Sequence, residues 1–152
     1  MATQAVEAKK TTSVLNDLIE TLKDGQEGFK QAAEKAKEPS LKSLFSKYAS
    51  QRATYATQLQ SEVSRLGEEP ETGGHVTGAI HRGWTGLKNA LNGGDKALID
   101  ESEAGEGAAV KAYKQALEKP LPASVDTIVR TQFAGIQEAH GVISNLKHSR
   151  QN

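Results

Sequence analysis

Apolar residues recur every three or four positions in four long stretches of the chain, the period at which a helix buries one face against a core. The first stretch runs from about Thr12 to Lys37 on Leu15, Leu18, Leu22, Phe29, Ala33 and Ala36. Pro39 interrupts it where proline suits a first helical turn, and a second face follows on Leu41, Phe45, Tyr48, Arg52, Tyr55, Leu59, Val63 and Leu66 until Gly67 stops it. Glycine and proline then accumulate between Glu68 and Gly94, yet Ile80, Trp84, Leu87 and Leu91 keep helical spacing behind Thr77, which predicts one short helix inside a connecting strap. Asp95 is positioned to cap a third long helix, whose face is Leu98, Ile99, Ser102, Glu106, Ala109, Val110, Tyr113 and Leu117 and which ends before Pro120 and Pro122. The fourth runs to about Lys147 on Val125, Val129, Gln132, Ile136, His140 and Ile143.

Connection lengths set the topology. The first and last links are only a few residues and join antiparallel neighbours. A helix of about 26 residues is roughly 39 Å long at 1.5 Å per residue, and the 68–94 strap is long enough to cross that distance. The second and third long helices are then parallel, which is the ferritin-like arrangement. The predicted fold is all-α, a single four-helix bundle over 12–148 with a flexible terminus at 1–11. Trp84 either covers the flank of this bundle or offers a contact to a partner or a second copy.

Composition narrows the function classes. Nineteen acidic and nineteen basic side chains cancel, so no global field draws the chain to nucleic acid or anionic lipid. With no cysteine there are no disulfides, thiolate ligands or cysteine nucleophiles. Neither an apolar leader nor an 18-residue apolar run is present, so the expectation is a cytoplasmic protein with no membrane segment. Phosphate loops, HExxH and GxSxG are missing, and His75, His81 and His148 carry no spacing that suggests a site.

The stretch Ala104-Gly105-Glu106-Gly107-Ala108-Ala109 places two glycines around a carboxylate in mid-helix, where each glycine costs about 1 kcal/mol relative to alanine. Projected at 100° per residue, Glu106 falls on an apolar stripe, as do Gln26, Arg52, Gln132 and His140. Counted from the end of the bundle at the first turn, these residues converge on a common polar layer. Two readings compete for it. In dimetal carboxylate bundles such a layer holds metal through glutamates and ExxH pairs, and here only Glu27, Glu106 and His140 are available to hold iron or manganese. No ExxH is present, and a divalent ion about 5 Å from the Arg52 guanidinium would meet roughly 6 to 7 kcal/mol of repulsion at an effective dielectric of 20. The other reading pairs Arg52 with Glu106 and assigns the remaining donors and acceptors to Gln26, Gln132, Tyr55 and Tyr113, since buried charges need such partners. A small-ligand pocket is a third use of the same layer. The glycines beside Glu106 would let a neighbouring helix approach closely.

The segments VLNDLIETLKDGQEGF at 14–29, SLKSLFSKYASQRATYATQLQSEVSRLG at 40–67, GAIHRGWTGLKNAL at 78–91 and ESEAGEGAAVKAYKQAL at 101–117 resemble a bacterial, stress-associated family of ferritin-like four-helix bundles known only as a domain of unknown function. The resemblance spans about 14–147 and implies fold and cytoplasmic location; it supplies no catalytic residues and no reaction. The reading that follows is a non-enzymatic bundle without cofactor, with a stress-related or protein-interaction role and a homo-oligomer or protein as partner. The alternative is an iron- or manganese-binding redox or iron-handling protein with a reduced dimetal-type site.

Overall fold

The computed structural model describes residues 2–71 and 83–151. Four long helices and one short one follow in order: α1 (Ala2–Lys35), α2 (Pro39–Arg65), α3 (Leu87–Ala90), α4 (Gly94–Leu117) and α5 (Ala123–Gln151). No strand occurs among the described residues. Helix α1 packs against α2 and α4, and α4 packs against α5.

The bundle is a pair of antiparallel hairpins, α1/α2 and α4/α5, joined by the long crossover. Arg52, thirteen residues into α2 from Pro39, bonds Glu106, twelve residues into α4 from Gly94. Asp95, at the start of α4, bonds the backbone of Lys37 and Glu38 just before α2, so the two helices start at the same end of the bundle and run parallel. Arg150 at the end of α5 pairs with Glu38, placing that end beside the α1/α2 turn. Pro39 opens α2 in its first turn, and Gly67, with φ of +79°, closes it in a conformation that other residues rarely adopt.

Helix α1 begins at Ala2 instead of about Thr12. Nothing in residues 2–11 breaks a helix, and Thr11 is buried, so the packed face extends a turn further than the leucines announced. Along α1 and into the turn after it, Thr11, Leu15, Leu18, Leu22, Gly25, Phe29, Ala32 and Ala36 are buried at alternating spacings of four and three, with Ile19, Thr21, Asp24 and Gly28 buried beside them. On α5 the buried positions are Val125, Val129, Gln132, Ile136, Ala139 and Ile143, with the same alternation. This is the 3.5-residue repeat of helices that interdigitate along a bundle. Two expected positions therefore move. Ala32 replaces Ala33 on α1, and Ala139 replaces His140 on α5, leaving His140 half-buried at the edge.

Asp95 does not cap α4. Its carboxylate accepts the backbone N–H groups of Lys37 (2.8 Å) and Glu38 (3.0 Å), so α4 is tied to the turn that precedes α2. Burial pushes the Asp95 carboxyl up, but those two N–H groups, with Arg150 and Lys37 nearby, outweigh burial and hold it below the usual carboxylate value. The described part of the crossover is fastened at both ends. At its start Asn16 accepts the Glu71 N–H (2.8 Å) and Gln60 donates to the Glu71 carbonyl (2.9 Å). At its end Glu101 of α4 accepts the Gly86 N–H (2.8 Å). The strap contains the short helix α3, with Leu87 and Ala90 buried, while Ile80, Thr77, His75 and His81 lie outside the described residues.

Candidate site: a buried ion pair between two apolar half-cores

The apolar core divides in two. One half contains Leu15, Leu22, Leu59, Val63, Tyr113 and Val129. The other contains Phe29, Phe45, Tyr48, Trp84, Leu98 and Ile143. Arg52 and Glu106 occupy the boundary, at 1% and 0% exposure. The guanidinium donates to both carboxylate oxygens, Nη2 to Oε2 at 2.6 Å and Nη1 to Oε1, while Nε donates to Gln51 Oε1 at 3.1 Å. Two parallel charge-assisted bonds in this fork geometry are the strongest arrangement an arginine and a carboxylate can make. Below the pair lies the ring of Phe29, 5.3 Å from Arg52 Cζ, in position for a cation–π contact.

Helix α1 meets the long arginine at a glycine. Position 25 in the fours-and-threes repeat of that helix is glycine, and a Cβ there would stand 3.5 Å from Arg52 Nη1 and 3.6 Å from Cγ. Those are ordinary van der Waals distances, so the arginine does not require a glycine there. Gln26, expected in the layer, is half-buried one position off the stripe, and its Oε1 has no hydrogen-bond partner among the described residues.

Gln132 belongs to a separate level. It accepts the Tyr113 hydroxyl (2.8 Å) and donates to Gln58 Oε1 (2.8 Å) and the Tyr55 carbonyl (3.2 Å). Burial raises the Tyr113 phenol well above its ordinary value, so it stays protonated and remains the donor. Tyr55 is only half-buried and turns its hydroxyl to α5, where a Cβ on Gly135 would approach it to 2.1 Å. The single layer read from the sequence is thus an ion pair and a neighbouring tyrosine–glutamine network. Tyr48, expected only as core, packs its ring against Phe29, with centroids 5.5 Å apart; burial raises its phenol, Glu106 and Glu138 raise it further, and Arg52 opposes them.

These donors do not suit a metal. Glu27, Glu106 and His140 are not brought together, and no three His, Cys, Asp or Glu side chains gather in a group able to hold an ion among the described residues. Both oxygens of Glu106 face Arg52, and Glu27 accepts the Gln31 amide at 3.0 Å on the same helix. Nor do the larger grooves open here. One of about 350 Å³ is lined by Val14, Asp17 and Lys119, and one of about 420 Å³ by Thr11, Leu66 and Leu121.

Trp84 packs against the flank of the bundle, the first of the two placements considered for it. It is 3% exposed. The indole is wedged between α1 and α4, where a Cβ on Gly28 would approach it to 2.5 Å and one on Gly105 to 2.3 Å. Its edge meets the Phe29 ring at 5.0 Å and 76°. Gly105 therefore makes room for a tryptophan, not for a neighbouring helix, and Gly107 has nothing within 4 Å of its Cβ position.

A family described as a domain of unknown function, DUF2383, matches residues 10–119. The chain belongs to that family. No curated protein matches it. Among solved structures, this DUF2383 bundle is similar to a mutant of Mycobacterium smegmatis Dps1, with a TM-score of 0.79 over 93% of this chain and 97% of that one, at 10% identity. At that identity the likeness shows a shared ferritin-like fold alone. No helix among the described residues is long and apolar enough to cross a membrane.

Proposed function

We propose that this DUF2383 protein is a non-enzymatic ferritin-like bundle that acts through its surface, by binding another protein or a second copy of itself, in a stress-related and cytoplasmic setting. The observation that carries this reading is the bidentate Arg52–Glu106 pair at the boundary of the two half-cores. A guanidinium lies where a ferritin-like bundle would need its ligands, and the carboxylate that would serve as one is already saturated. The grooves lie elsewhere and collect no convergent catalytic set. The stress setting rests on the family resemblance read from the sequence.

Metal analysis of protein purified after growth with added iron and manganese tests the reading. Substoichiometric metal that is unchanged in Glu106→Ala is expected. Near-stoichiometric iron or manganese that disappears in Glu106→Ala would sink it and restore the iron-handling alternative. Sedimentation across a wide concentration range addresses the partner: a concentration-independent monomer eliminates self-association and leaves a different protein as the occupant.

A further inference from the structure

The crossover and the ion pair meet at the same turns of α1 and α4. On α1, Gly25 faces the Arg52 stem and Gly28, one turn on, receives the Trp84 indole. On α4, Gly105 receives the indole and the adjacent Glu106 bonds the guanidinium. Phe29 joins the two: its face carries Arg52 Cζ at 5.3 Å and it meets the edge of Trp84 at 5.0 Å. Displacing the indole would free Phe29 on one side and open the α1/α4 seam directly over Glu106.

We propose that Trp84 is a positioning residue for the buried pair, and that seating of the indole in the Gly28/Gly105 socket and closure of the Arg52–Glu106 fork form one cooperative unit that opens and closes together. Regions of a fold that share contacts in this way open as a unit, distinct from global unfolding. Coupling between two such events is reciprocal, so each must respond to loss of the other. Trp84 thereby becomes a latch for the centre of the bundle. Its release would expose a paired charge and an apolar socket together.

Two measurements on the full chain test this from opposite directions. In Trp84→Ala, hydrogen exchange followed by NMR is expected to show the Arg52 Nε–H and the amides of Gly28 and Gly105 exchanging at least ten-fold faster. Amides in the other half-core, at Leu15, Leu59 and Val129, should keep their rates. If Trp84→Ala does not fold, Trp84→Phe, which keeps a ring of smaller size, should show the same selective pattern to a smaller degree. In the reverse direction, the chain has a single tryptophan, so its fluorescence reports this socket alone. The double variant Arg52→Leu with Glu106→Leu should shift that emission to the red and increase its quenching by iodide at least two-fold. The proposal is overturned if the Arg52 Nε–H exchanges at its wild-type rate without the indole, if acceleration is equal in both half-cores, or if the indole stays equally shielded without the pair.

Discussion

Arg52→Ala isolates what the buried pair contributes. The substitution leaves the Glu106 carboxylate, at 0% exposure, without either of its two guanidinium bonds. Breaking a buried pair by removing one partner costs about 3 to 5 kcal/mol, and the lost contact of Arg52 with the Phe29 face adds to that cost. A loss of about 4 kcal/mol lowers the folding constant by nearly three orders of magnitude. Because domains of this size are stable by about 5 to 15 kcal/mol, the variant should still fold, with little margin. Urea unfolding followed by circular dichroism is the assay; with a slope of about 2 kcal/mol per molar, the midpoint should fall by about 2 M. Replacing both partners, Arg52→Leu with Glu106→Leu, removes the stranded charge as well as the pair. Buried pairs replaced by apolar residues of similar volume are commonly near neutral, so the double variant should recover most of the loss and lie within about 2 kcal/mol of the parent. A double variant no more stable than Arg52→Ala would refute direct pairing as the source of the effect.

The two glycines that flank Glu106 should respond in opposite senses. Gly105→Ala thrusts a methyl to 2.3 Å from the indole and should destabilise by about 1 to 3 kcal/mol through overpacking, whereas Gly107→Ala, with open space around it, should stabilise by about 0.5 to 1 kcal/mol; thermal unfolding of the two variants reads both signs. Asp95 has a folded pKa lowered overall by its two backbone donors against the push of burial, so the stability it contributes is present above the ordinary carboxylate value near pH 4 and is lost as pH falls through the folded value. The gap in unfolding midpoint between parent and Asp95→Ala should therefore shrink below about pH 4. Glu101 is the reverse case: burial raises its pKa and the Gly86 N–H only partly opposes this, so ionisation of Glu101 opposes folding as pH rises. Glu101→Gln keeps an acceptor for Gly86 and should be neutral or slightly stabilising at pH 7, with that advantage gone below about pH 4 in a pH series of urea melts.

The parts of this protein that were legible in the sequence depend on local period and on length. Four apolar faces and one connection long enough to cross the bundle pointed to the arrangement with parallel α2 and α4. The errors share one physical cause. Projection at 100° per residue describes an isolated helix, while bundle helices repeat their packed face every 3.5 residues, so the projection drifts by about 20° per heptad. Over the length of α1 that drift moved the inward position from Gly25 to Gln26, and on α5 it exchanged Ala139 for His140. Strict alternation of fours and threes from Thr11 or from Val125 would have found both. Once Gly25 is inward, α1 brings no polar side chain to the central level, and the layer loses two of its supposed polar members. The Trp84 socket was illegible for a different reason. Gly28, Gly105 and Trp84 come from three elements, and nothing in the local pattern of any one of them shows that a flat ring from the crossover fills what two glycines leave open. The carboxylate between glycines in α4 thus has one neighbour with a separate function: Gly105 makes space for the crossover, and Glu106 itself closes the centre of the bundle. A metal-bound bundle would need that centre open to ions. In this chain an arginine fills it and a tryptophan covers it.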